Sequence, residues 1–154
     1  MQGEWQRTVG SEGDQPSQFK YPCGLALTPD EDFLLVVDDG NRRVAVLRAL
    51  DGVWVRQLTG PPGTLQFPAG VAVVPSTGEV LVSDLDRHCV IRILSFDDDT
   101  VVGTLGTGEG SGPTEFDFPV ALAVLDGAHC PAVCIYLNCF PYVSLIFNCF
   151  DNWP

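Results

Sequence analysis

Apolar residues in this chain come in short runs broken by turn residues. "GLAL" (Gly24–Leu27), "FLLVVD" (Phe33–Asp38), "RVAVL" (Arg43–Leu47) and "WVRQL" (Trp54–Leu58) follow one another, with Pro, Gly and Asp between them. The same succession returns as "GVAV" (Gly70–Val73), "EVLVSD" (Glu79–Asp84), "VIRIL" (Val90–Leu94) and "VVGTL" (Val101–Leu105). No segment from Met1 to Gly127 keeps a helical period, so the pattern predicts strands. The first run of each set is continuously apolar, as in a strand buried on both faces. The last carries Arg and Gln, or Gly and Thr, and predicts a wetter outer strand. In "VIRIL", alternation points Ile91 and Ile93 inward rather than Val90 and Arg92, which predicts a one-residue bulge near Cys89.

The two sets are copies. Residues 19–60 lie over 65–106 without gaps at a shift of 46, with identities that include Pro22/Pro68, Gly24/Gly70, Leu35/Leu81, Asp38/Asp84 and Val44/Val90. A third copy begins at "FDFPVALAV" (Phe116–Val124), and "WQRTVG" (Trp5–Gly10) matches the end of a unit, "WVRQLTG" (Trp54–Gly60). Four strands per unit at a period near 45 is the signature of propeller blades. A four-stranded sheet with two apolar faces cannot cover both alone, so the units must stack.

These residues resemble the NHL repeat family. The likeness lies in "YPCGLAL…FLLVVDDGNRRVAVL…DGVWVRQLTG" and "FPAGVAV…GEVLVSDLDRHCVIRIL…VVGTLG", where the Pro-x-Gly opening, the strand ending in Asp, the basic turn and the closing Gly agree in order and spacing. The resemblance covers residues 3–127. It implies an all-β fold, a partial β-propeller of NHL type with two full four-stranded blades (19–60 and 65–106) and partial pieces at 5–10 and 116–127. It also implies a six-bladed ring that binds partner proteins or, in some members, single-stranded RNA. Six such blades need roughly 270 residues; this chain has 154. The third copy also departs from the pattern: Pro to Asp is 16 residues in both full units, but 16 beyond Pro119 stands Ile135.

After Gly127 the composition changes, and residues 128–154 read as a Cys-rich apolar tail outside the repeat. Residues 128–150 form an uncharged run long enough for a membrane span, against which Pro131, Pro141, Asn138 and Asn148 count. His129, Cys130, Cys134, Cys139 and Cys149 lack the paired CxxC spacing of a zinc site. The tail is expected to pack as a strand or short helix on an exposed blade face. An alternative exon or a read-through would account for it. Cys23 and Cys89, inside the repeats, are expected to be small core residues. The start has no secretory signal, which makes a reduced cytoplasmic setting the default.

Charge narrows the partners. The net charge of −12 repels a phosphate backbone unless a basic patch acts locally. Asn41, Arg42 and Arg43, with Arg87 and His88 one blade along, fall in the loop between second and third strands and form the candidate binding rim; the alternative is that they are solvated turn residues or stabilise Asp38 and Asp84. In the resembling family this face is the docking surface. Asp38 and Asp84 end the second strand of each blade, and their recurrence marks them as structural turn carboxylates accepting backbone N–H bonds in the following turn. Asp97–Asp99 reads as a solvated hairpin tip, and the glycine-rich "GTGEGSGPTEF" (Gly106–Phe116) as an inter-blade loop with no phosphate-loop signature.

No nucleophile motif, metal site or cofactor site is indicated. The reading is a non-catalytic protein-interaction scaffold, a fragment of a longer propeller. Single-stranded RNA binding by the Asn41–Arg43/Arg87–His88 face is the alternative, followed by a propeller lyase or hydrolase fragment. Exposing one blade face leaves about eight apolar side chains wet at about 1.5–3 kcal/mol each, so residues 1–127 alone are expected to be marginal, to self-associate through the open face, or to belong to a longer chain.

Overall fold

The computed structural model describes residues 7–93, 98–106, 108–110, 115–127, 130–139 and 142–149; for residue 92 and from 125 onward the description is of the backbone alone. Two short strands, β1 (Ser11–Glu12) and β2 (Gln18–Phe19), pair in parallel and lead into the first blade. That blade is β3 (Pro22–Leu27), β4 (Phe33–Asp38), a single 3-10 turn at Asp39–Asn41, β5 (Arg43–Arg48) and β6 (Trp54–Leu58). The second is β7 (Pro68–Val73), β8 (Val80–Asp84), β9 (Cys89–Ile93) and β10 (Val101–Leu105). Each is an antiparallel meander whose strands pair in chain order. A third sheet joins β11 (Pro119–Gly127), β12 (Cys130–Cys139) and β13 (Tyr142–Cys149) in the same way. The fold is all-β, with two complete blades of a partial propeller.

Each blade has a leading face toward its predecessor and a trailing face toward its successor. Leu35, Val37, Val44 and Val46 trail on the first blade; Val71, Val73, Val80, Val82, Ile91 and Ile93 lead on the second, and together they form one buried cluster. At the next junction Leu81 and Val90 trail, while Leu122 and Val124 of β11 lead, around the fully buried Phe116. Strand periodicity alone generates this division, because alternate side chains point to opposite faces.

Both faces of the second blade are therefore dry, which explains the apolar sequence of β9. The bulge expected near Cys89 is not there: β8 and β9 pair without a break from Val80↔Ile93 to Asp84↔Cys89. The register shift lies in β10, between Val101 and Gly103. Val90 needs no bulge to escape solvent, since the third sheet covers it.

The inner strand of the first blade differs from expectation. Its sequence matches β7, yet Leu25 and Leu27 are 63% and 49% exposed, whereas their counterparts Val71 and Val73 are 5% and 9% exposed. No described blade precedes β3, so the inner part of its leading face is bare. Cys23, expected in the core, is exposed for the same reason, and of these two cysteines Cys89 alone is buried. Of the expected strand at Trp5–Gly10, Trp5 and Gln6 lie outside the described residues, and 7–10 form no strand.

The tail after Gly127 contributes β12 and β13, hydrogen-bonded onto β11 from Gly127↔Cys130 outward. In the full blades the first-strand Pro pairs with Asp, as Pro22↔Asp38 and Pro68↔Asp84. In the third sheet Pro119 pairs with Leu137, so the repeat's carboxylate is missing there. No described helix is long and apolar enough to cross a membrane.

Inner strands of adjacent blades converge, and this is why the repeat opens with Pro-x-Gly. A Cβ on Gly24 would lie 2.4 Å from the Ala69 carbonyl oxygen, and one on Gly70 would lie 2.8 Å from that of Val120. Both obstacles are backbone and cannot swing away. Gly24→Ala and Gly70→Ala should each cost about 1–3 kcal/mol by overpacking. Gly103→Ala, with open space around its Cβ, should stay within about 0.5 kcal/mol of wild type. Urea unfolding of the three variants checks the contrast.

Candidate loop-face site

The ends of β4 and β8 carry the two repeated aspartates, both fully buried. Asp38 Oδ1 accepts the Lys20 N–H at 2.6 Å, and its Oδ2 accepts from Asn41 Nδ2 and Arg43 Nε, each at 2.8 Å. Asp84 accepts the N–H groups of Gln66 at 2.6 Å, Phe67 at 3.3 Å and Arg87 at 3.1 Å. The brace therefore reaches in two directions. One set of bonds goes to the following turn, where Asp84 accepts the Arg87 backbone N–H but Asp38 accepts side-chain donors, Asn41 and Arg43, in place of the expected backbone groups. The other reaches back to the chain entering the blade's first strand, a connection that periodicity does not reveal. Each carboxylate thus ties the blade's entrance to the turn between its second and third strands.

Arg43 is a correction to the predicted rim. Its guanidinium is buried and donates from Nε to Asp38, from Nη1 to Asp14 O and Gln57 Oε1, and from Nη2 to Gln15 O and Gln18 O. The group lies 4.9 Å over the Trp54 ring. A guanidinium has five N–H donors, and here every one has a partner. No donor is left for a ligand. Arg43 instead pins the Gly10–Phe19 connection onto the first blade, helped by Asn41, which donates to Gly13 O. Cys89 holds the equivalent place in the second blade, whose entering loop from Gly60 to Phe67 is shorter.

Arg42 and Arg87 remain exposed, and His88 is partly covered. Arg42 and His88 occupy equivalent positions and share a left-handed backbone, with φ of 53° and 48°. The Arg42 N–H closes the preceding 3-10 turn on Asp39 O at 2.8 Å. The His88 ring meets Phe118 edge to face at 4.8 Å and lies 3.9 Å from carboxylate oxygens of Glu109 and Asp117. Arg87 donates to Gly63 O at 3.2 Å. Asp39, Asp86, Glu109 and Asp117 stand among these side chains, so the rim is mixed in charge rather than basic.

Sequence reasoning missed two features. The residue before each first-strand Pro is an exposed aromatic: Tyr21 is 82% exposed, Phe67 49% and Phe118 51%. The repeat alignment holds that signal, a conserved-size ring just before Pro in all three copies. Asp99, expected at a solvated hairpin tip, instead accepts the N–H groups of Thr59 and Gly60 at 3.0 and 2.9 Å, bridging the two blades. Asp97 lies outside the described residues. Among those described, no group of three or more His, Cys, Asp or Glu converges as a metal site would require.

Stacked four-stranded meanders with their entrance loops gathered at one end define part of a β-propeller. Within it, residues 65–93 match the NHL repeat. No curated protein matches the chain in sequence. Among solved structures, the chain is similar to a luciferin-regenerating enzyme (16% identity, TM-score 0.57, covering 85% of this chain and 45% of that one) and to U3-55K (17%, 0.57, 85% and 38%). It is also similar to the hydrazine synthase of Kuenenia stuttgartiensis (14%, 0.53, 93% and 38%). The chain thus spans less than half the length of these proteins, and at such identities the likeness is one of fold.

Two outcomes test the site's electrostatics. Asp38→Ala strands Arg43 and the Lys20 N–H in a dry site and should cost about 3–5 kcal/mol, read by chemical denaturation. Asp39 has its carboxyl pKa raised above the ordinary 3.8 by burial, then by Asp84 and Asp38. A raised carboxyl favours the folded state while protonated, and that advantage is lost as pH rises through the folded pKa. Asp39→Asn should therefore raise Tm at pH 7, with the gain shrinking to nothing at pH below 3.8.

Proposed function

We propose that this chain is a non-catalytic binding module whose loop face takes a protein segment. The observation that carries this reading is the row of exposed rings at Tyr21, Phe67 and Phe118, one per repeat, beside Arg42, Arg87 and His88. Aromatic rings and arginines are the side chains most enriched where proteins bind proteins. Tyr21 and Phe118 hold their outward places with φ of 52° and 48°, a backbone region that costs about 1–3 kcal/mol for a bulky residue. Strain kept at a solvent-facing ring is consistent with a use for that ring.

The chemistry of the partner follows from the rim. Alternating cations and carboxylates favour a segment with apolar anchors and charges of both signs. Single-stranded RNA, the second reading, would find aromatic platforms here, but its phosphates would face Asp39, Asp86 and Asp117 as well as the arginines. A catalytic role is disfavoured because Asp38 and Asp84 make the same kind of bonds in both blades, whereas a reaction centre calls for groups that differ.

A photo-crosslinking residue at Phe67 or Phe118, compared with the outer-strand positions Val55 and Val102, tests the face. Protein adducts from the first pair only are expected. Equal labelling at all four positions would remove the basis for the site. Retention of a labelled RNA oligonucleotide at low salt, lost in Arg42→Ala/Arg87→Ala, would move the assignment to RNA.

A further inference from the structure

The bare leading face of the first blade has a defined complement. At the first junction the inner strand presents a small pair on its trailing side, Gly24 and Ala26, and the neighbour's Val71 and Val73 pack there. At the second junction Gly70 and Ala72 form the small pair, and Leu122 and Val124 are the large residues facing it. One half of this arrangement is left over at each end of the described fan. At the start stand Leu25 and Leu27, 63% and 49% exposed. Beside them an open apolar groove of about 330 Å³ runs between Cys23, Leu34, Val36 and Leu47. At the other end, Ala121 and Ala123 of β11 stand exposed as an unused small pair.

We infer that the occupant of the groove is a second copy of this chain, joined head to tail. The Ala121/Ala123 edge of one copy would seat against Leu25 and Leu27 of the other, repeating the junction that the chain already makes twice. The contact is heterologous, because two different surfaces meet, and such contacts either close into a ring or grow into a filament. Closure after two copies is expected, since 85% of this chain overlays 45% of the luciferin-regenerating enzyme fold. Two copies thus supply close to one full propeller. This inference is independent of what the loop face binds.

Sedimentation velocity of the full chain across concentrations tests it. Wild type should sediment at twice its 16.6 kDa chain mass. Leu25→Glu and Ala121→Glu should each weaken pairing by at least about 100-fold, because each places an unpaired buried charge in both junctions of the ring. Each would then sediment as a single chain, with circular dichroism confirming retained β structure. Mixing the two variants should restore pairing through one wild-type junction only, giving a pair tighter than either variant alone and weaker than wild type, because the ring's second junction then carries both substitutions. A second readout needs no variant: alkylation of Cys23, located by peptide mapping, should slow about tenfold at concentrations where the dimer forms, as the open population falls. Wild type that stays monomeric at every concentration overturns the inference. So does an Ala121→Glu variant that still dimerises, which would mean that the bare face pairs with itself. Open-ended polymers would overturn the closed ring.

Discussion

The structure depends on one constraint: a four-stranded sheet with two apolar faces is stable only between two others. Every buried cluster described above, apart from the Phe19–Trp54 patch on the first blade, lies between sheets rather than within one. The middle blade shows the constraint satisfied, since β7, β8 and β9 are dry on both sides. The first blade shows the same sequence pattern without its neighbour. There Leu25 and Leu27 meet solvent, and only the outer part of the face, at Val36, Ala45 and Leu47, is covered, by Phe19 and Trp54. Stability in such arrays is a sum over units and junctions, so an unfilled junction is a local deficit and not a defect of the unit itself.

Close approach at the inner strands sets the remaining geometry. Glycine at positions 24 and 70 lets neighbouring backbones come together, and the turn carboxylates Asp38 and Asp84 then fix where each chain enters its blade. Because these braces repeat, the loops they hold repeat too. The aromatic residue before Pro22 and Pro68 is carried to the same end of each blade, and Phe118 stands beside His88 without such a brace in its own sheet. A row of rings at a mixed-charge rim is thus a consequence of the packing rule and not a feature separate from it. Where the long Gly10–Phe19 connection needs more than a carboxylate, Arg43 supplies five donors; the shorter loop before the second blade does without them.

Much of this was legible in the residues. The 46-residue shift located both blades and their strands, because strand alternation and turn chemistry are local properties written into neighbouring positions. It also marked Asp38 and Asp84 as structural, since a group that recurs in both full units serves what those units share. The fate of individual side chains was not legible in the same way. Arg42 and Arg43 are adjacent and chemically alike, yet one is exposed and the other is consumed by a loop some 25 residues away in sequence. Asp99 looked like a hairpin tip until the first blade brought the N–H groups of Thr59 and Gly60 to it. Leu25 and Val71 read as the same residue in the same strand.

The sequence by itself therefore determined the repeat, the strands, the turns and the two-faced character of each sheet, all of which follow from the period of the backbone. Only the tertiary structure decided which faces are covered, which cations are free and which rings point outward. Those outcomes depend on what stands opposite each side chain, and a neighbour brought close by stacking leaves no mark on the local pattern.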